Sequence, residues 1–428
     1  MKDQFKVRRL LGLFITRVAI AGVMALVAGC GSSSEEPPTQ DVAEIWTRFA
    51  AEVGKSGAEF LRDNEQEYDI DRAEGLRYLA QQLSASVQEE LIRQTGEIPL
   101  LRVGATTLQK YGIDSADAKY TSAVIDSSGV YRLTGYRGTS RLVALQTLRV
   151  SIDGDYEAYD SLSQEALQPD ADGNIEVMIA LKRPQGWAGP WLRLDPNSDS
   201  LHIREYHADW ANERPGKFQL TRVDDHPPRP PLTTSDANGL LEAIAYRFEH
   251  RPGVWLNRIN PVRLLLENKV RMKTREEMTG SGLADNIYGA GWYNVAEDEA
   301  LIIEIESVDA LMWSIELANI WAESFDYINH LAAYNSEQAR PDSDGVYRFV
   351  IAHQDPGVLN WLDPAGHPEG FIHARYQNSK NSPPVKTRLV KLSELRGHLP
   401  ADSPKVNASE RVDTLAARRA HAANRYAP

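Results

Sequence analysis

The stretch HQDPGVLNWLDPAGH, residues 353–367, places two imidazoles and two carboxylates in fifteen residues of turn-rich chain. Imidazole and carboxylate are the groups of general acid–base catalysis and of borderline metal sites. His353 and Asp355 are two apart, so on a strand they share a face. Asp363 and His367 flank a Pro-Ala-Gly turn that can fold back, and His373 follows on the next strand. His353, Asp355, Asp363 and His367 are therefore the candidate catalytic residues, as acid–base groups or metal ligands of a hydrolase. The same residues suit a structural role. Asp355, Asp363 and Asn360 can cap turns through their side chains, with Trp361 filling a core.

A second set is aromatic. Trp292, Tyr293, Trp313, Trp321, Phe325, Tyr327 and Tyr334 crowd the chain before that motif, with Glu316, Glu323 and Asp326 among them. Flat apolar faces take a ring and nearby acids take hydroxyls, so Trp313, Trp321, Glu323, Tyr327 and Trp361 are candidate ligand-binding residues for a glycan or a ring compound. Paired carboxylates could also cleave a glycosidic bond. The competing role is core filling. HExxH, cysteine zinc spacing, the GxSxG elbow and a phosphate loop are absent. YGAGWY at Tyr288 has two glycines ahead of a strand, which does not make a dinucleotide site. No cofactor is expected, and a metal is left open.

The elements that must position these residues change character four times. Residues 41–118 read as helical. Leu76, Leu79, Leu83, Val87 and Leu91 fall on one face, Asp71 with Glu74 makes a capping box, and Gly96 a stop. Residues 119–223 alternate with period two between Gly, Asp and Pro turns, which predicts a β-sandwich unit. DDHPPRPPLTT opens a linker-and-helix stretch, residues 224–280, with the helix expected to resume after Pro252. A second β-unit spans 281–393. The tail, 394–428, is polar all round and reads as a solvated helix or disorder.

The two β-stretches resemble each other. Asp172-Gly173 precedes one strand and Asp344-Gly345 the other. Trp191-Leu192 leads to HIREY and Trp361-Leu362 to IHARY, with fifteen residues from Trp to final Tyr in both. Each half opens on a tyrosine, Tyr120 and Tyr288. An old duplication predicts the fold class: α+β, mainly β, with two related jelly-roll-like β-sandwich units and helical segments before each. In the first copy Leu181 and Arg183 stand where His353 and Asp355 stand in the second.

GAGWYNVAEDEALIIE, WSIELANIWAESFDY and HQDPGVLNWLDPAGHPEGFIHARYQ resemble the bacterial family called domain of unknown function 1214, over about residues 285–377. GPWLRLDPNSDSLHIREYHADW resembles the upstream half found with that family, and AEGLRYLAQQL its long-chain members. The resemblance implies a jelly-roll-like β-fold and implies no activity. Leu359, where a proline is expected, and Pro364, where a small polar residue is expected, depart from the pattern.

The N-terminus sets the expected compartment. Lys2, Lys6, Arg8 and Arg9 precede an apolar stretch, residues 18–29, that is short for a bilayer span and has the order of a secretory signal. Val27-Ala28-Gly29-Cys30 resembles the lipobox of bacterial lipoproteins. Cys30 is the chain's one cysteine and its expected lipidation site, and residues 30–40 read as a tether. That use leaves no disulfide and no catalytic thiol. The expected setting is the cell envelope, at the outer membrane facing the periplasm. The net charge is −13, and removing the signal, about +4, leaves roughly −17, which argues against nucleic acid as a partner. The functional expectation is a small-molecule or glycan binding module, with a hydrolase as the alternative.

Overall fold

The computed structural model describes residues 41–426 other than 65, 95–97, 152–155, 278–282 and 284. The expected signal (1–29), the tether (30–40) with Cys30, and the Gly96 helix stop lie outside the described residues. Two helices lead, α1 (Val42–Asp63) and α2 (Asp69–Arg93).

The first β-unit contains β1 (Arg102–Val103), β2 (Ala118–Val124), β3 (Tyr131–Tyr136), β4 (Leu142–Val150), β5 (Tyr156–Leu162), β6 (Asn174–Ala180), β7 (Trp191–Arg193), β8 (Ser200–Tyr206) and β9 (Lys217–Arg222). They make a five-stranded sheet, β1-β2-β8-β4-β5, and a four-stranded sheet, β7-β6-β3-β9. Between them Leu133, Val143, Leu145, Val177, Ile179, Leu201 and Ile203 close one core. The helix α3 (Thr234–Leu265) follows, opened by the reciprocal Thr233–Asp236 capping box.

The second β-unit contains β10 (Lys269–Met272), β11 (Ile287–Asn294), β12 (Glu299–Ile305), β13 (Ala310–Ala318), β14 (Ala333–Asn335), β15 (Tyr347–Ile351), β16 (Asn360–Leu362), β17 (Glu369–Ser379) and β18 (Lys386–Lys391). The helix α4 (Ala408–Tyr426) follows. Its sheets run β10-β11-β17-β13-β14 and β16-β15-β12-β18, strand for strand the order of the first unit. In both units the short strand pairs parallel with its neighbour, β6 with β7 and β15 with β16. The Trp191 indole donates to the Ala180 carbonyl and the Trp361 indole to the Ala352 carbonyl. Gly173 and Gly345 both take positive φ, 82° and 81°, in turns where each amide donates back to Asp170 or Asp342. The duplication is thus a property of the backbone as well as of the sequence, and the fold is mainly β, two related sandwiches with helices before each.

The equal Trp-to-Tyr spacing does not carry into the strands. Tyr206 faces away from its own sandwich core, whereas Tyr376 lies inside its core. Strand pairing sets Tyr120 opposite Arg204 and Tyr288 opposite Arg375. The equivalent residues are therefore His202-x-Arg204 and His373-x-Arg375, a one-residue slip from the sequence alignment that exchanges the faces.

The two five-stranded sheets face each other. Ala118, Leu142, Tyr206 and Ala208 of the first unit pack on Met312 of the second, and Asn335 donates to Asp117 and to the Ala208 carbonyl. The layers run four-stranded, five-stranded, five-stranded, four-stranded.

Three helical expectations change. Of the predicted α2 stripe only Leu79 is buried, while Leu76 and Leu91 are 64% and 48% exposed. Its buried face is Asp71, Gly75, Tyr78, Leu79, Gln82, Ala85, Ser86 and Glu90. Polar residues suffice there because α3 presents arginines, with Arg247 and Arg251 pairing with Glu89 and Glu90. The helix starts at Asp69, so Asp71 and Glu74 lie inside it and make no capping box. α3 runs unbroken through Pro252 and Pro261; the Tyr78 hydroxyl donates to the Pro252 carbonyl, and Phe248, Leu256 and Ile259 are buried on either side of Pro252, so packing overrides the proline. The tail is docked rather than solvated. Arg411, Arg418 and Arg425 of α4 are buried, bonding to the Val358, Ala333 and Ala116 carbonyls.

Candidate functional site

The surfaces where the five-stranded sheets meet carry little apolar residue. From β2, β4, β8 and β5 come Tyr120, Ser122, Gln146, His202, Arg204 and Tyr156. From β11, β13 and β17 come Tyr288, Ala290, Ser314, Glu316, His373, Arg375 and Gln377. The alternation of each strand dictates this, because its other residues fill the two sandwich cores. Ile113 and Trp255 pack in one cluster with Ala290, and the Tyr111 ring meets Trp255 edge-on.

These groups sit in a half-accessible state. Tyr120, Tyr156, His202, Arg204, Tyr288, His373 and Trp255 are half-buried. Yet burial pushes the His202 imidazole down to about 3, with Arg204 adding to it, and burial pushes His373 down to about 3, with Lys273 adding. Burial likewise raises the phenols of Tyr120, Tyr156 and Tyr288. These groups gather where the two five-stranded sheets meet, with the His373 ring on Tyr288 and the Tyr206, Tyr288, Tyr120 and Tyr156 phenols around Arg204. Both imidazoles are neutral at physiological pH.

The second unit's half of this lining is internally neutralised. Glu316 pairs with Arg375 and accepts the Ala116 amide at 2.9 Å. His373 Nδ1 lies 3.8 Å from Glu316, and its ring stacks on Tyr288 at 5.8 Å and 23°. The first unit's half is not. Glu316 stands opposite His373, and the residue opposite His202 is Gln146. With no carboxylate there, the Arg204 side chain has no hydrogen bond or ion pair among the described residues, and its Nε is fully covered without a partner. The phenols of Tyr206, Tyr288, Tyr120 and Tyr156 are its electrostatic neighbours. The Tyr120 and Tyr206 hydroxyls are 3.5 Å apart. Trp255 Nε1, Ser314 Oγ and both amide atoms of Gln377 are also covered and unpartnered.

The sequence-predicted catalytic residues do not come together. His353 Nε2 donates to the Val295 carbonyl at 2.8 Å. Asp355 accepts from the Gly357 amide, and both its oxygens accept from the one Arg411 guanidinium of α4. Asp363 caps its own turn through the Ala365 amide and meets His330 Nδ1 at 2.8 Å. His367 is buried, donates from Nδ1 to the Pro364 carbonyl, and meets Glu74 of α2 through Nε2 at 2.9 Å. The opening stretch is a structural corner that holds helices against the sheet. No three His, Cys, Asp or Glu side chains among the described residues are grouped to hold a metal.

The predicted ligand-binding set is also dispersed. Trp313 lies in the second sandwich core, Tyr327 packs on Trp210, and Trp361 bonds to Ala352 beneath Arg411. Trp321 is fully buried, stacked on Tyr78, and donates to the Asp71 carbonyl. Glu323, also fully buried, accepts from Asn319 at 3.0 Å and lies 3.5 Å from Arg77. With Glu74 and His367 these groups clasp α2 to the second unit. Burial pushes Glu323 up to about 7 and Asp71 up to about 6. Burial also works to raise Glu74, but the hydrogen bonds from His367 and Asn319 and the charge of Arg77 hold it below its ordinary range.

The fold recurs. A crystal structure of an uncharacterized protein from Burkholderia cenocepacia superposes with a TM-score of 0.76 at 27% identity, over 82% of this chain and 98% of that one. A Vibrio parahaemolyticus protein aligns over 74% of this chain and 98% of its own, with a TM-score of 0.41 at 12% identity. No protein-family model and no curated protein sequence matches the chain. Among the described residues no helix is long and apolar enough to cross a membrane.

Sequence reasoning missed Arg204 and its surroundings. The signal was present in HIREY and IHARY, whose shared His-x-Arg was hidden by aligning the final tyrosines.

Proposed function

We propose that this chain is an envelope lipoprotein, tethered by lipid at Cys30 at the outer membrane, that binds a small ring-bearing molecule between its two five-stranded sheets. It is a binding module of the family called domain of unknown function 1214, which its motifs resemble. The observation that carries the reading is the inter-sheet lining: tyrosine, tryptophan and neutral histidine rings that are strongly desolvated yet keep accessible surface. Such rings offer flat faces with hydroxyl and imidazole tips, the mixture that small-molecule sites use to combine area with orientation. His353, Asp355, Asp363 and His367, the residues of the hydrolase alternative, each meet different partners rather than one another, which favours the binding reading.

Ala290 is half-buried on this lining beside Trp255, so Ala290→Trp fills the space. Native mass spectrometry of the purified protein and thermal-shift screening of single-ring compounds test the reading. A retained or stabilising compound in the wild type, lost in Ala290→Trp, is the expected result. No retained molecule and no stabilisation by any ring compound overturns it.

A further inference from the structure

The two halves of the inter-sheet lining are built on the same strand order, so their differences are informative. Both present a His-x-Arg pair from the central strand with a tyrosine opposite the arginine: His202 and Arg204 with Tyr120, His373 and Arg375 with Tyr288. In the second unit the neighbouring strand supplies Glu316, two residues along from Ser314, the residue paired with Arg375, and the guanidinium is neutralised. In the first unit the same position is Gln146. Arg204 is left as a half-buried cation that no described carboxylate meets.

An arginine away from bulk water without a counter-charge is costly, and the cost falls when a ligand brings the missing anion. The guanidinium fork matches the two oxygens of a carboxylate or phosphate. The setting is selective in other ways. The phenols of Tyr206, Tyr120 and Tyr156 on its own sheet and of Tyr288 on the other are the electrostatic neighbours of Arg204, burial raises Tyr120, Tyr156 and Tyr288, His202 and His373 are neutral at physiological pH, and Glu316 is occupied by Arg375. Glu89, on α2, is held by Arg251, Arg102 and Arg247. No free negative charge among these groups opposes an incoming anion.

We infer that the inter-sheet space takes a small organic anion, a ring compound bearing a carboxylate or phosphate, with Arg204 as its counter-ion in place of the carboxylate that Glu316 supplies to Arg375. The inference rests on the binding function proposed above and adds the charge of the ligand.

Benzoate, benzamide and phenyl phosphate are the probes, titrated by calorimetry into the wild type, Arg204→Gln and Gln146→Glu. The last variant restores the second unit's arrangement and should satisfy Arg204 internally. Benzoate or phenyl phosphate should bind the wild type on the order of ten- to a hundredfold more tightly than benzamide, the worth of one charge-assisted contact. Both variants should lose that preference while still binding benzamide, and Gln146→Glu should do so with a folded circular-dichroism spectrum. Whichever anion binds more tightly separates the carboxylate from the phosphate source. If benzamide and the anions bind alike and Arg204→Gln changes nothing, the charge inference fails while ring binding stands. If no probe binds, both fail.

Discussion

Glu323 offers a sharp test of how this fold tolerates buried charge. It is fully buried, with Asn319 as a hydrogen-bond donor, Arg77 at 3.5 Å, and Oε1 unpartnered. Burial raises it from 4.5 to about 7, against the opposing pull of Asn319 and Arg77. The folded state therefore holds this proton more tightly than the unfolded chain, so stability falls as pH rises from about 4.5 through about 7 and stays low above that. A shift of this size, at 1.36 kcal/mol per unit, costs roughly 3 kcal/mol above pH 8 and less than about 1 kcal/mol at pH 5. Glu323→Gln keeps the acceptor for Asn319 and removes the charge. It should therefore stabilise the protein by up to about 3 kcal/mol at pH 8, a rise of about 4 °C in Tm for a body of this size, and by under about 1 kcal/mol at pH 5. The assay is a pair of thermal or urea melts of wild type and variant at the two pH values. Equal differences at both would refute the reasoning, because they would mean that Arg77 and Asn319 fully compensate the buried charge.

Other perturbations follow from the same geometry. Gly75 lies in α2, where alanine ordinarily adds about 1 kcal/mol of helix stability; here its Cβ would come within 2.6 Å of the Trp321 ring, so Gly75→Ala should lower Tm instead. Asp355→Ala should cost about 2–3 kcal/mol by releasing Arg411, read by urea denaturation, and should leave small-molecule binding unchanged. His202 and His373, both held near 3, bind protons in the unfolded chain before the folded one; stability should fall as pH drops below about 6.5, by roughly 2 kcal/mol per histidine at pH 5. Replacing both by glutamine should flatten that limb of a Tm-versus-pH curve.

The sequence alone carried the duplication. Its paired Asp-Gly turns, Trp-Leu strands and period-two runs are local signals, written in the residues that make each turn and strand, and the backbone repeats them strand for strand. It also carried the turn-capping alternative for Asp355 and Asp363, since an Asp ahead of Pro or Gly bonds to amides two residues on. Three things needed the tertiary structure. The docking face of α2 was misjudged because periodicity cannot report that α3 would bring Arg247 and Arg251 to meet Glu89 and Glu90. The tail's arginines read as solvated because their carbonyl partners, at Ala116, Ala333 and Val358, are far away in the chain. Above all, the site depends on register. A strand alternates faces at every residue, so a one-residue slip between HIREY and IHARY decides whether an arginine faces a sandwich core or the other five-stranded sheet. Spacing counts residues along the chain, whereas hydrogen-bonded pairing across strands sets that slip.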